Sequence, residues 1–177
     1  MSNLMILRVL LVFSLIFTAL GVKAANTLDV EFDGVLIDIT CQLTTASLKQ
    51  DVTLENLRWQ SLNQNVFSGI TPFSLAIEKC SEANLKKTIK LTWQSSQLVD
   101  IGGTSYLPTQ GSTGVLLGLV DKDENPITWN KPIELGLVTV VGDTQQFDFG
   151  VLARKPANAD AKVGDFSGAV TFSVEYE

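Results

Sequence analysis

An all-β sandwich short of its own last strand is the fold class this sequence predicts, and three observations predict it. Apolar and polar residues alternate through eight separate stretches. Turn-forming residues punctuate those stretches at short intervals. The chain also finishes on its most regular alternation. Phe166, Gly168, Val170, Phe172, Val174 and Tyr176 hold the even positions, and Asp165, Ser167, Ala169, Thr171, Ser173 and Glu175 hold the odd ones. Such period-two order marks a half-buried strand. No later element is available to cover it.

The elements follow in order. Arg8 precedes an apolar run of twelve, VLLVFSLIFTAL, and then Gly21-Val22-Lys23-Ala24. A positive start, a short apolar middle and small residues at the end predict a secretory leader over 1–24, cut before Ala25. The run falls short of the about 20 residues a membrane helix needs, so no span is expected after cleavage. Without Arg8 and Lys23, eleven basic residues face nineteen acidic ones, a net charge of −8. That acidity argues against nucleic acid or anionic lipid as a partner. Cys41 and Cys80, the only cysteines, both lie beyond the leader. In an exported chain they predict one disulfide rather than two buried thiols.

The stretch LDVEFDGVLIDIT, 28–40, exceeds an ordinary strand and changes phase within itself. Leu28, Val30, Phe32, Gly34 and Leu36 are even, whereas Val35, Ile37 and Ile39 are odd. One residue of slippage turns every side chain to the other face, so two strands in tandem are expected: a leading one at 28–36 and a domain strand at about 35–41. One long bulged edge strand is the alternative. Further strands are expected at 51–57, 72–80, 87–94, 114–121, 133–141, 145–153 and 166–176. DIGGTSYLPTQGSTG (100–114) and DENP (123–126) read as turns, and LENLRWQSLNQ (54–64) as a loop.

Chemistry is hard to place on this chain. With no histidine, the Ser-His and Cys-His nucleophile systems and the commonest metal ligand are missing. The cysteines have no CxxC spacing. Asp121, Asp123 and Asn125 mimic the start of a calcium loop, but Pro126 stands where the glycine belongs and Pro132 where the closing glutamate belongs. A solvated turn is expected there. No cofactor, no metal and no enzymatic activity are expected.

The two ends are complementary. A sandwich missing its last strand exposes backbone donors and acceptors beside an open core. A strand given by another molecule repairs it. Leu28, Val30, Phe32 and Leu36, fully buried in a neighbour, would contribute roughly 1.5–3 kcal/mol each. Gly34 interrupts the series where a side chain does not fit.

These features together resemble a fimbrial (pilus) subunit of the chaperone–usher type, in the type 1 pilin-like family. The resemblance rests on VEFDGVLIDITC with its glycine and closing cysteine, on PFSLAIEKC with the second cysteine, and on FDFGVLARK at 147–155. It rests also on Gly164, fourteenth from the end, and on penultimate Tyr176. It covers essentially the whole mature chain. Arg154-Lys155-Pro156 replaces the family's tyrosine-rich sequence, and the glycine usual near Glu55 is absent.

The resemblance implies an incomplete immunoglobulin-like sandwich over 37–177, completed in trans by a donor strand at 25–36. It implies an acceptor strand of Gly164, Phe166, Val170, Phe172, Val174, Tyr176 and Glu177. It implies a periplasmic chaperone that lends a strand and holds the terminal carboxylate at Glu177 through basic residues. An outer-membrane usher and head-to-tail neighbours in a surface fimbria follow from it. An adaptor or terminator subunit is the alternative within the family. Outside it, Trp59, Trp93 and Trp129 raise the alternative of a secreted carbohydrate-binding module.

Overall fold

The structure is a computed structural model that describes residues 41–55 and 57–177. The expected leader, the leading strand and its residues Leu28, Val30, Phe32, Gly34 and Leu36 lie outside the described residues.

Among the described residues there are eleven strands, two short α-helices and a 3-10 turn at Glu82–Asn84, in the order β1 (Gln42–Leu43), α1 (Thr45–Leu48), α2 (Trp59–Asn65), β2 (Thr71–Glu78), the 3-10 turn, β3 (Thr88–Gln94), β4 (Val99–Ile101), β5 (Thr104–Pro108), β6 (Gln110–Gly111), β7 (Leu116–Val120), β8 (Ile133–Leu137), β9 (Gln145–Arg154), β10 (Phe166–Ser167) and β11 (Thr171–Tyr176). One sheet runs β1-β2-β9-β7-β5-β4, a second runs β11-β3-β8, and β10 pairs with β6. Every pairing is antiparallel.

Alternation decides which side of each strand faces inward. Ile89, Leu91 and Trp93 of β3 are buried, as are Leu75 and Ile77 of β2 and Phe149, Val151 and Ala153 of β9. The two sheets meet through these side chains; Leu75, Leu91, Trp93, Leu117, Phe149 and Val151 belong to one cluster. Burying Leu75, Ile77, Ile89 and Leu91 contributes roughly 6–12 kcal/mol as an upper figure. Strand β7 lies between β9 and β5 and is buried at every position. A second cluster gathers Ile77, Ile89 and Val138 around Cys41 and Cys80, which form the expected disulfide.

Four expectations are corrected. No strand forms over the described part of 51–57. Val52, Leu54 and Leu57 do pack against the core, so the alternation chose the right face. No described backbone lies alongside to pair with, and a strand needs a neighbour as well as a pattern. The loop expected at 54–64 instead contains helix α2. One residue, Leu62, is its buried anchor, too few for a legible helical period. The side chain of Asn63 ties the helix down, donating to the Ala161 carbonyl at 3.0 Å and accepting from the Ala161 N–H at 2.7 Å. The turn-rich 100–114 stretch contains β4, β5 and β6, with Gly102–Gly103 as the hairpin tip.

Finally, the single strand expected at 166–176 is two. β10 pairs with β6, β11 pairs with β3, and residues 168–170 cross between them. Gly168 sits at that crossing, where a Cβ would come within 2.8 Å of Leu117.

The tryptophans form no sugar platform. Trp93 and Trp129 are core residues at 3% and 7% exposure, and the indole N–H of Trp129 donates to the Ser105 carbonyl at 3.0 Å. Trp59 alone is exposed. The 121–125 segment is a turn closed on itself, with Asp121 Oδ1 accepting from the backbone N–H of Asp123 and of Asn125 at 2.9 Å each.

Candidate acceptor groove

The sequence-last strand occupies an edge. Among the described residues, β11 pairs with β3 and with nothing on its other side. The hydrogen-bond phase follows from the pair at its end: Glu177 N–H donates to the Thr88 carbonyl at 3.0 Å, and Thr88 N–H donates back to the Glu177 carbonyl. In an antiparallel ladder, bonded and unbonded pairs alternate. Thr171, Ser173 and Glu175 therefore bond to β3. The N–H and C=O groups of Phe172, Val174 and Tyr176 point away from it, toward the open edge.

The side chains of those same three residues face the core. Phe172 meets Trp93 with ring centroids 5.2 Å apart, and Trp93 in turn contacts Phe73 and Phe149. Val174 packs against both core clusters, and Tyr176 against the one around the disulfide. All three are only half-buried. Burial raises the Tyr176 phenol above its ordinary pKa. Glu177 ion-pairs with Lys90 on β3, which raises the Lys90 pKa and ties down the last turn of the ladder.

Beside this edge runs a depression with an opposite lip formed by residues 41–54. Its first hollow, about 720 Å³, lies between Gly164–Gly168 and the segment Gln50–Leu54. A second, about 310 Å³, shares Gln50, Asp51, Val52, Leu54, Leu117 and Gly168 with the first, and continues past Val170 and Phe172 over Trp93 and Trp129. A third, about 450 Å³, lies between Cys41 and Leu43 on one side and Val174–Tyr176 on the other. The three succeed one another along 164–176. The floor is the hydrophobic core.

The lip is held in place without the help of β11. Thr44 N–H donates to the Ala76 carbonyl at 2.9 Å, and Ala76 N–H donates to the buried Ser47 Oγ at 2.8 Å. Thr44 caps α1 through Ser47. These bonds anchor the start of the lip to β2, in the larger sheet; among the described residues no backbone bond joins the lip to β11. Gly164 marks the far end of the groove. Its φ of +148° suits glycine, and a Cβ would meet Ser112 Oγ at 3.0 Å.

The other free edge of the same sheet is different. Strand β8 follows Pro132, carries a register shift opposite Ile89/Lys90, and has Gly136 at φ +118°. A bulge and a neighbouring proline blunt an edge against pairing. No proline or register shift interrupts β11. One edge is blunted and the other is left able to accept a strand.

Of the expected acceptor residues, Gly164, Phe166, Val170, Phe172, Val174 and Tyr176 line this depression, and Glu177 lies at its end in the ion pair. The opposite lip, Val52 and Leu54 above all, was not among the residues expected from sequence. Their alternation was visible, but nothing in it told a lip from a paired strand.

An antiparallel sandwich with an unblunted terminal edge beside a groove is the class of fold these residues define. The chain belongs to the fimbrial protein family, whose model matches residues 30–177. It is 20% identical over 159 residues to KS71A fimbrillin of Escherichia coli, a match covering 84% of each chain. Two solved structures share the fold. The P pilus rod subunit PapA, at 17% identity and a TM-score of 0.62, is covered completely and covers 78% of this chain. A chaperone–usher pilus subunit from a structure concerned with rod uncoiling, at 18% identity and a TM-score of 0.65, covers 89% of this chain and is itself covered to 99%.

Proposed function

We propose that this chain is a structural subunit of a surface fimbria that polymerises head-to-tail by donor-strand exchange. Residues 1–24 serve as the secretory leader, 25–36 as the donated strand and 37–177 as the pilin domain. A periplasmic chaperone first occupies the groove, and at an outer-membrane usher the 25–36 segment of the next subunit replaces it. Leu28, Val30, Phe32 and Leu36 then fill the hollows, with Gly34 between Phe32 and Leu36. No residue has a catalytic role.

The observation that carries this reading is the outward hydrogen-bonding edge of β11, beside a core open along the same strand. A donated strand would satisfy the backbone groups of Phe172, Val174 and Tyr176 and cover their half-buried side chains together. It would also supply the partner that the alternating 51–55 segment lacks. Each ladder bond adds about 0.5–1.5 kcal/mol and each buried apolar side chain about 1.5–3 kcal/mol.

The test is to refold the mature chain with and without excess synthetic peptide of residues 28–36, LDVEFDGVL. Soluble monomer is expected to increase with the peptide, and its thermal midpoint to rise. Equal yield and an unchanged midpoint would remove the proposal.

A further inference from the structure

Two exposed apolar patches lie at opposite ends of the domain, outside the groove floor. One consists of Leu85, Leu137 and Val141, at 39%, 48% and 44% exposure. It belongs to the disulfide end. Gly142 N–H, next to Val141, donates to the Cys80 carbonyl at 3.0 Å, and Cys80 is bonded to Cys41. Lys86 N–H, next to Leu85, donates to the carbonyl of Val138, which adjoins Leu137 and packs in the disulfide cluster. This is the end at which the chain enters the domain from its donor segment. The other patch is Trp59 and Val163, at 44% and 71% exposure. Both line the largest hollow, beside Gly164.

Solitary surface apolar residues are ordinary, whereas exposed apolar residues grouped together mark contact surfaces. We propose that the Leu85–Leu137–Val141 patch of one subunit docks on the Trp59–Val163 rim of the next, a body-to-body contact that stiffens the fibre independently of the donated strand. This rests on the donor-strand reading above. In a sandwich whose pairings are all antiparallel, a strand completing β11 runs antiparallel to it. The C-terminal end of the donated strand then lies at the Gly164 end, beside Trp59 and Val163. Five residue steps separate Leu36 from Cys41, so the donor's own body begins within about 18 Å of that point. A domain of this size is roughly 35 Å across, so a tether that short holds the disulfide end of one body against the rim of the next at high effective concentration. The occupant of each patch is therefore the other patch, on a second copy of this chain.

The experiment uses assembled fibres of the full chain carrying Val141→Cys and Val163→Cys, both at exposed sites, treated with a short bis-maleimide. The expected result is a ladder of covalent multimers that survives dissociation of the donated strand and is lost in either single variant. Fibres that form normally but yield no covalent ladder would overturn the inference while leaving donor-strand exchange intact. Failure of the unmodified chain to form fibres, or to capture the 28–36 peptide, would instead count against the donor-strand reading. A second measurement needs no cysteine: Leu137→Asp/Val141→Asp fibres are expected to show a shorter persistence length in electron micrographs, and an unchanged one would refute the contact.

Discussion

Two adjacent residues of β11 give the sharpest test of the acceptor edge. Val174 and Ser173 are neighbours, but their N–H groups point in opposite directions. By the phase set at Glu177 and Thr88, Ser173 donates to β3 and Val174 donates toward the groove. Proline removes one N–H and is tolerated in a strand only where that N–H faces solvent. Ser173→Pro removes a bond inside the domain and strands the Thr92 carbonyl, at about 1–3 kcal/mol. Val174→Pro breaks no internal bond and loses only part of a half-buried side chain, about 1 kcal/mol.

In the complex with a donated strand the order reverses. Val174→Pro loses a ladder bond worth about 0.5–1.5 kcal/mol, a roughly two- to tenfold weaker peptide affinity, and places its ring in the path of the incoming backbone. Ser173→Pro leaves the groove edge complete. The assay pairs thermal unfolding of the refolded chain with anisotropy of a labelled 28–36 peptide. Ser173→Pro is expected to lower the midpoint more, and Val174→Pro to weaken the peptide more. Equal effects on both readouts would refute the assignment of β11's outer edge.

Other expectations follow from single sites. Phe172→Ala removes the ring tilted against Trp93 and should cost about 1.5–3 kcal/mol in the chain alone, with a further loss in peptide affinity, because Phe172 is only half-buried; a urea titration with and without peptide separates the two. Gly164→Val puts a β-branched residue at φ +148° against Ser112 and should destabilise by about 1–3 kcal/mol in the same titration. Replacing Cys41 and Cys80 together by serine opens a 39-residue separation and should cost about 4 kcal/mol on the chain-entropy estimate, read as a lower midpoint of the double variant.

Asp121 titrates with a defined sign. Partial burial opposes its charge, but hydrogen bonds from Asn125 and Asp123 outweigh it and hold its pKa below the ordinary 3.8. A depressed carboxylate stabilises the fold fully above its unfolded pKa, and that contribution is lost as pH falls through the folded value. Asp121→Ala should therefore lower stability near neutrality, while the difference from the parent chain narrows below about pH 4.

Much of the sandwich was legible because a side chain's face in a strand depends on residue parity alone. Phe73-Leu75-Ile77, Ile89-Leu91-Trp93 and Phe149-Val151-Ala153 all turn inward as their alternation requires. The inward-facing apolar residues of β11 were legible for the same reason, and the disulfide was expected from the two cysteines. Helix α2 was hidden because a single buried leucine carries no period. The division of 166–176 was hidden because alternation continues unbroken through Gly168 and Val170 while the backbone changes partners.

Which residues are apolar, and on which side of a strand they stand, belongs to the sequence by itself, since parity is a local property of an extended chain. Which backbone groups find partners belongs to the tertiary structure, since pairing requires a second strand brought close in space. That difference made 51–55 a lip, left β11 an edge, and turned the N–H groups of Phe172, Val174 and Tyr176 toward the groove; no local pattern encodes any of the three.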